Sequence, residues 1–161
     1  INFKPNNIPF KNNVQIYYEN FSDENGNFGL YKYNGKKWIF QNINKGNKIK
    51  HNTYSGGIFA ILTEYEKPLV KNIIPGNNGS YRKEDLKKIA FNCNDALSGI
   101  NPESIKIYID KKQHYFDYIK FRKLVESKLK EELDTGEHLL EIHVSDNLNN
   151  SKIISHNFFI K

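Results

Sequence analysis

The feature that most constrains this chain is a period of two. Ile105, Ile107 and Ile109 alternate with Lys106 and Tyr108, and Leu140, Ile142 and Val144 alternate with Glu141 and His143. An apolar residue at every second position puts one face of a strand against a core and leaves the other to solvent. These runs are short. Each closes on residues that supply turn backbone: "PGNNG", "DALSG", "DKK", "DTG" and "DNLNN". Helical spacing is scarce, so the chain is expected to be all-β.

Two sets of such strands follow one another. In the first, "NNVQIYYEN" alternates with Val14, Ile16 and Tyr18 on one face, and "FSDENGNFG" reads as a loop. "LYKYNGKKWIF" reads as a hairpin turning at Asn34-Gly35, where Asn-Gly supplies the positive φ of a tight turn. "NKIKHN" is a short strand. "GGIFAILTEY" is a continuous apolar run, expected as a central strand buried on both faces. Pro68 marks a junction. Beyond it, strands are expected over 69–74, 87–93, 104–109, 114–118, 139–145 and 153–160. "FRKLVESKLKEEL" (121–133) fits a short helix or a strand over 122–127 with a charged turn after it; the all-β setting favours the strand. The expected architecture is two small β-sandwich domains in tandem, 1–66 and 67–161.

Composition narrows the function. The chain has 161 residues and a formal charge of +6. Only Arg82 and Arg122 are arginines and the lysines are scattered, so a nucleic-acid face is not expected. No run approaches the roughly 20 apolar residues of a membrane-spanning helix. The first residue is Ile1 and no signal peptide precedes it, so the chain reads as a piece of a longer or processed protein. Cys93 is the one cysteine. It falls in phase with Ile89 and Phe91, as a buried structural thiol would.

Several motifs carry residues of candidate chemistry. His138, Glu141 and His143 form H-x-x-E-x-H, close to a zinc-protease signature. Strand parity puts His138 with Leu140 and Ile142, and His143 on the opposite face, so the two cannot bind one ion. His51, His114 and His156 lie in separate short strands, and no spacing unites them. No nucleophile elbow, Walker loop or dinucleotide fingerprint occurs. Asp95 and Asp146 each open a loop. Their oxygens suit an Asx turn, or calcium if several more oxygens converge there. No catalytic residue, metal or cofactor is assigned. Among ten tyrosines and eleven phenylalanines, "QHYFDYIKF" is unusually aromatic; either Tyr115 and Phe121 or Phe116 and Tyr118 face out. A row of exposed rings such as Tyr108, Tyr115 and Tyr118 would suit a sugar ligand.

"KIAFNCNDALSGINPESIKIYID" followed by "LDTGEHLLEIHVSDNLNN" resembles bacterial Ig-like modules, with Asn149 in place of the usual glycine of the last turn. Asn tolerates the left-handed backbone that turn requires. With the preceding "LYKYNGKKWIFQNINKGNKIKHNTYSGGIFAILTEYEKP", residues 30–161 are similar to the non-catalytic C-terminal region of Bacteroidetes-type M23-family metallopeptidases. The zinc motifs of those peptidases, H-x-x-x-D and H-x-H, are absent from this sequence. The resemblance implies an Ig-like second domain and a periplasmic or extracellular location. It also implies an accessory, non-enzymatic role: positioning a catalytic domain of the same parent chain, or binding cell-wall glycan or protein. A carbohydrate-binding module and a structural spacer on the cell surface are the alternatives.

Overall fold

The computed structural model describes residues 1–6, 8–19, 27–43 and 48–161. Among these residues there are strands and two single 3-10 turns but no α-helix, and no helix long and apolar enough to cross a membrane. The protein is all-β. Most of the expected loop at 21–29 lies outside the described residues.

The chain forms two compact units, but not as two contiguous halves. The first comprises 1–66 together with 96–99 and 147–150, and the second comprises the remainder. The expected division is into 1–66 and 67–161, and the two units differ from it by these two short segments. Two loops from later in the chain are held within the first unit by side-chain hydrogen bonds. The Ser98 N–H donates to Glu64 Oε2 at 3.0 Å, and Asn150 Nδ2 donates to the Glu64 carbonyl at 3.2 Å.

In the first unit, β1 (Asn2–Phe3), β6 (Gly57–Thr63), β3 (Phe28–Tyr33) and β4 (Trp38–Ile43) form one antiparallel sheet in that order. β2 (Pro9–Glu19) and β5 (Lys48–Ser55) form a second. Ile16 and Ile49 from the ribbon meet Phe28, Leu30 and Phe59 from the larger sheet in a small core. Two expectations change here. Val14 and Tyr18 are exposed, so only Ile16 of its face is buried. β6 is internal to its sheet, yet Ile58 and Thr63 are exposed, so it is not buried on both faces. The expected hairpin forms, with Tyr33 pairing with Trp38 across a four-residue loop. Gly35 alone takes positive φ, and Asn34 Oδ1 closes the loop by accepting the Lys36 and Lys37 N–H groups.

The second unit is a two-sheet sandwich. β7 (Leu69–Ile74), β9 (Lys88–Asn94), β13 (Leu124–Lys128) and β12 (Asp117–Ile119) form one sheet in that order. The other runs β8 (Ser80–Tyr81), β15 (Ser151–Ile160), β14 (Gly136–Ser145), β10 (Lys106–Ile109), β11 (Lys112–His114). Lettered in chain order from β7, with β8 as A′, these are the A-B-E-D and A′-G-F-C-C′ sheets of an immunoglobulin-like sandwich. The period of two reappears as burial. Ile89, Phe91 and Cys93 face Ile107, Leu140, Ile142 and Phe158 across one apolar core. The Cys93 thiol is pushed up to about 11 by burial, as a packed and unreactive group would be.

The region 121–133 contains no α-helix: a 3-10 turn at Lys120–Arg122 leads into β13. The single strand expected over 114–118 is broken. β11 ends at His114 in one sheet, and β12 begins at Asp117 in the other. In the last turn Asn149 adopts φ +67°, a left-handed conformation that Asn tolerates.

Leu140 is fully buried at the centre of this core. Leu140→Ala should lower unfolding free energy by about 2–5 kcal/mol, read by urea denaturation. A loss within the range of a surface substitution would show that the two sheets do not close on this residue.

Candidate functional site

A groove of about 640 Å³ opens in the second unit, where the chain leaves one sheet for the other. One wall is the β10–β11 hairpin, with Asp110, Lys112, Gln113 and His114. Tyr115 and Phe116, between β11 and β12, also line it. The opposite wall is Glu126 and Lys128 of β13 and the following segment to Leu133.

Local sequence builds each wall. Ile109 pairs with Lys112, so Asp110 and Lys111 form a two-residue turn, both with positive φ (+49° and +69°). Glycine usually fills such a turn. Here the Asp110 side chain compensates: Oδ1 accepts the Leu139 N–H at 2.9 Å, and Oδ2 lies 2.6 Å from Nδ1 of His138. Nε2 of the same ring lies 2.8 Å from the Asp134 carbonyl. A carboxylate and a carbonyl only accept, so this geometry favours the imidazolium form, in which both ring nitrogens donate.

His138 is 8% exposed and stacks on Phe158 with ring centroids 5.4 Å apart. Burial pushes its pKa down, but the Asp134 carbonyl and the Asp110 carboxylate outweigh that, and the net direction is up. Immunoglobulin sandwiches place a tyrosine near the start of this strand, bonded to backbone a few residues upstream. His138 occupies that corner and does the same work with two donors. It ties the hairpin wall to the segment carrying Leu133, so it positions the groove without lining it.

Inside the groove, burial and then Lys112 hold His114 below the ordinary histidine pKa, which favours the neutral imidazole. Lys112 reaches Glu131 at 3.2 Å, an exposed pair that adds little stability. Glu126 pairs with Lys88. The groove therefore offers a ring, a neutral imidazole, an amide and several carboxylates within one concavity.

The three tyrosines do not make a row. Tyr108 lies on the outer face of β10, edge-on to His143 at 5.5 Å. Tyr118 lies on the other sheet and turns inward against the core. Tyr115 alone lines the groove, and it is 89% exposed. Of the two orientations open for the aromatic stretch, Tyr115 and Phe121 face out while Phe116 and Tyr118 pack inward. The tyrosines are dispersed because the chain changes sheets between β11 and β12, which puts Tyr108 and Tyr118 in different sheets.

Parity does separate the other histidines. His138 is buried and His143 is on the outer face. His51 belongs to the first unit, beside Phe59. His156 bonds the Pro75 carbonyl through Nε2 at 2.8 Å and sits three strands from β11. The structure does not bring these together. Asp95 and Asp146 do come together, with carboxylate oxygens within 4.8 Å. Both make further interactions in the structure.

No family model and no curated protein matches the chain. Among solved structures, the crystal structure of CopC from Methylosinus trichosporium OB3b is similar at 12% identity, covering 58% of this chain and 93% of that chain with a TM-score of 0.48. A likeness of that degree carries no argument about function. The assignment to immunoglobulin-like sandwiches rests on the strand order.

The His138 geometry sets a pH dependence. Its folded pKa is above its unfolded one, so the stabilisation is complete below the ordinary histidine range and fades as pH rises through the folded value. Thermal melting should fall across that upper window in the wild type and lose this dependence in His138→Gln. His138→Ala should cost about 2–4 kcal/mol, from two charged hydrogen bonds and the buried ring. A melting temperature equally pH-dependent in His138→Gln would show that another group titrates.

Proposed function

We propose that this chain is a non-catalytic accessory region of an exported bacterial protein, and that its Ig-like unit binds glycan in the groove beside Tyr115. The observation that carries the reading is the composition of that groove. A pyranose ring has an apolar C–H face and a polar hydroxyl edge. Tyr115 offers the first a flat aromatic surface. Gln113, Asp117 and Glu126 offer the second planar amide and carboxylate groups. Concave sites of this size commonly combine apolar surface with a few polar anchors.

The resemblance to regions beside M23-family peptidase domains favours cell-wall glycan as the ligand. It also suggests that binding holds a catalytic domain of the parent chain against its substrate. The fold alone does not specify this, since immunoglobulin-like sandwiches carry many functions.

The test is co-sedimentation of the purified chain with insoluble peptidoglycan and, in parallel, with cellulose and chitin. Binding to at least one is expected. Tyr115→Ala should weaken it about tenfold, the loss of a single stacking contact, with unchanged melting because Tyr115 is exposed. Binding to none of the three, or binding unaffected by Tyr115→Ala, would remove the groove as a glycan site and leave the spacer reading.

A further inference from the structure

The surface carries a second feature that the groove does not use. Residues 120–123 read Lys-Phe-Arg-Lys and form the tight turn between β12 and β13. All four are exposed, and the Phe121 ring is 82% exposed at the apex. One exposed apolar ring is ordinary on a protein surface. Here every other side chain of the turn is a cation, and Arg122 lies over the Phe121 ring at 5.3 Å. Among the described residues, no salt bridge takes up any of these three cations.

The turn is held rigidly. The Lys123 N–H donates to the Lys120 carbonyl at 3.1 Å, and the Cys93 N–H donates to the Lys123 carbonyl at 2.8 Å. Lys123 sits in the left-handed region at φ +54°, which turns the chain sharply and projects the segment before it. A ring presented on a fixed turn loses little freedom when it is buried.

The neighbouring sheet face continues the pattern. Phe91 and Cys93 are buried, so Asn92 between them faces outward, with Leu124 and Lys71 in register on either side. One strand end further along, Leu69 is 50% exposed. Apolar and basic side chains are therefore mixed around the tip.

We infer that the Lys120–Lys123 turn is a docking tip for a phospholipid surface with anionic headgroups. Phe121 enters the boundary between headgroups and acyl chains, and Lys120, Arg122 and Lys123 lie among the phosphates. The long basic side chains suit this, because their apolar stems follow the ring while their charges stay at the surface. Single-stranded nucleic acid shares the negative charge, but its binding sites are grooves with successive stacking rings, whereas this is a convex tip with one.

The experiment is flotation of the full 161-residue chain with vesicles of phosphatidylcholine alone and with about one-third phosphatidylglycerol. Binding is expected to the anionic vesicles only and should fall at high salt. Phe121→Ala and the triple variant K120A/R122A/K123A should each weaken it about tenfold, while Tyr115→Ala leaves it unchanged. Phe121→Trp should keep binding and add an indole emission quenched by brominated lipid. Melting curves should show all variants folded, since the turn buries no side chain. The inference is overturned if the wild type does not float, if neutral vesicles bind equally, if Phe121→Ala binds as well as the wild type, or if an oligonucleotide binds where vesicles do not.

Discussion

The inner face of β14 is the constraint on which the C-terminal unit depends. His138, Leu140, Ile142 and Val144 point into the sandwich in succession, and all four are buried. Burial of three aliphatic side chains and an imidazole along one central strand sets the register with β10 on one side and β15 on the other. A slip of one residue would bury Glu141 and His143 and expose the aliphatic set. The strand order and the second sheet's packing follow from this one alignment.

At its first buried position that strand passes from packing to polar chemistry. His138 stands at the sandwich corner between a carboxylate and a carbonyl, which favour its protonated form. A tyrosine there would close the corner with one neutral bond. The imidazolium closes it with two and draws the β10–β11 turn into the arrangement, because Asp110 also caps the Leu139 N–H. The left-handed Asp110-Lys111 backbone is thereby supported without glycine. The same contact fixes the two segments whose separation defines the groove, so core register and site geometry share one residue.

Much of this was legible in the sequence. The turn strings and alternating runs located β7, β9, β14 and β15 closely, because strands with one buried face carry their period in the side chains. Parity alone separated His138 from His143 and so removed the apparent zinc motif. Asn149 could be read as a left-handed position from its residue type. The groove was not legible. Its walls come from a turn, an edge strand and a loop, none of which has a period. The break at Tyr115-Phe116 was hidden inside a run of aromatics that looked continuous. In the first unit, the apolar run 57–63 looked buried on both faces, but composition does not count how many sheets are available to cover a strand.

The sequence by itself determined the class of the protein and the inward or outward direction of most strand residues, since both follow from local chemistry repeated every two positions. Only the tertiary structure decided that the chain changes sheets at Tyr115, that Asp110 and Asp134 converge on His138, and that Phe121 is left at the apex of a basic turn. Each depends on contacts between residues brought together by the closing of two sheets, and no local pattern encodes such distances.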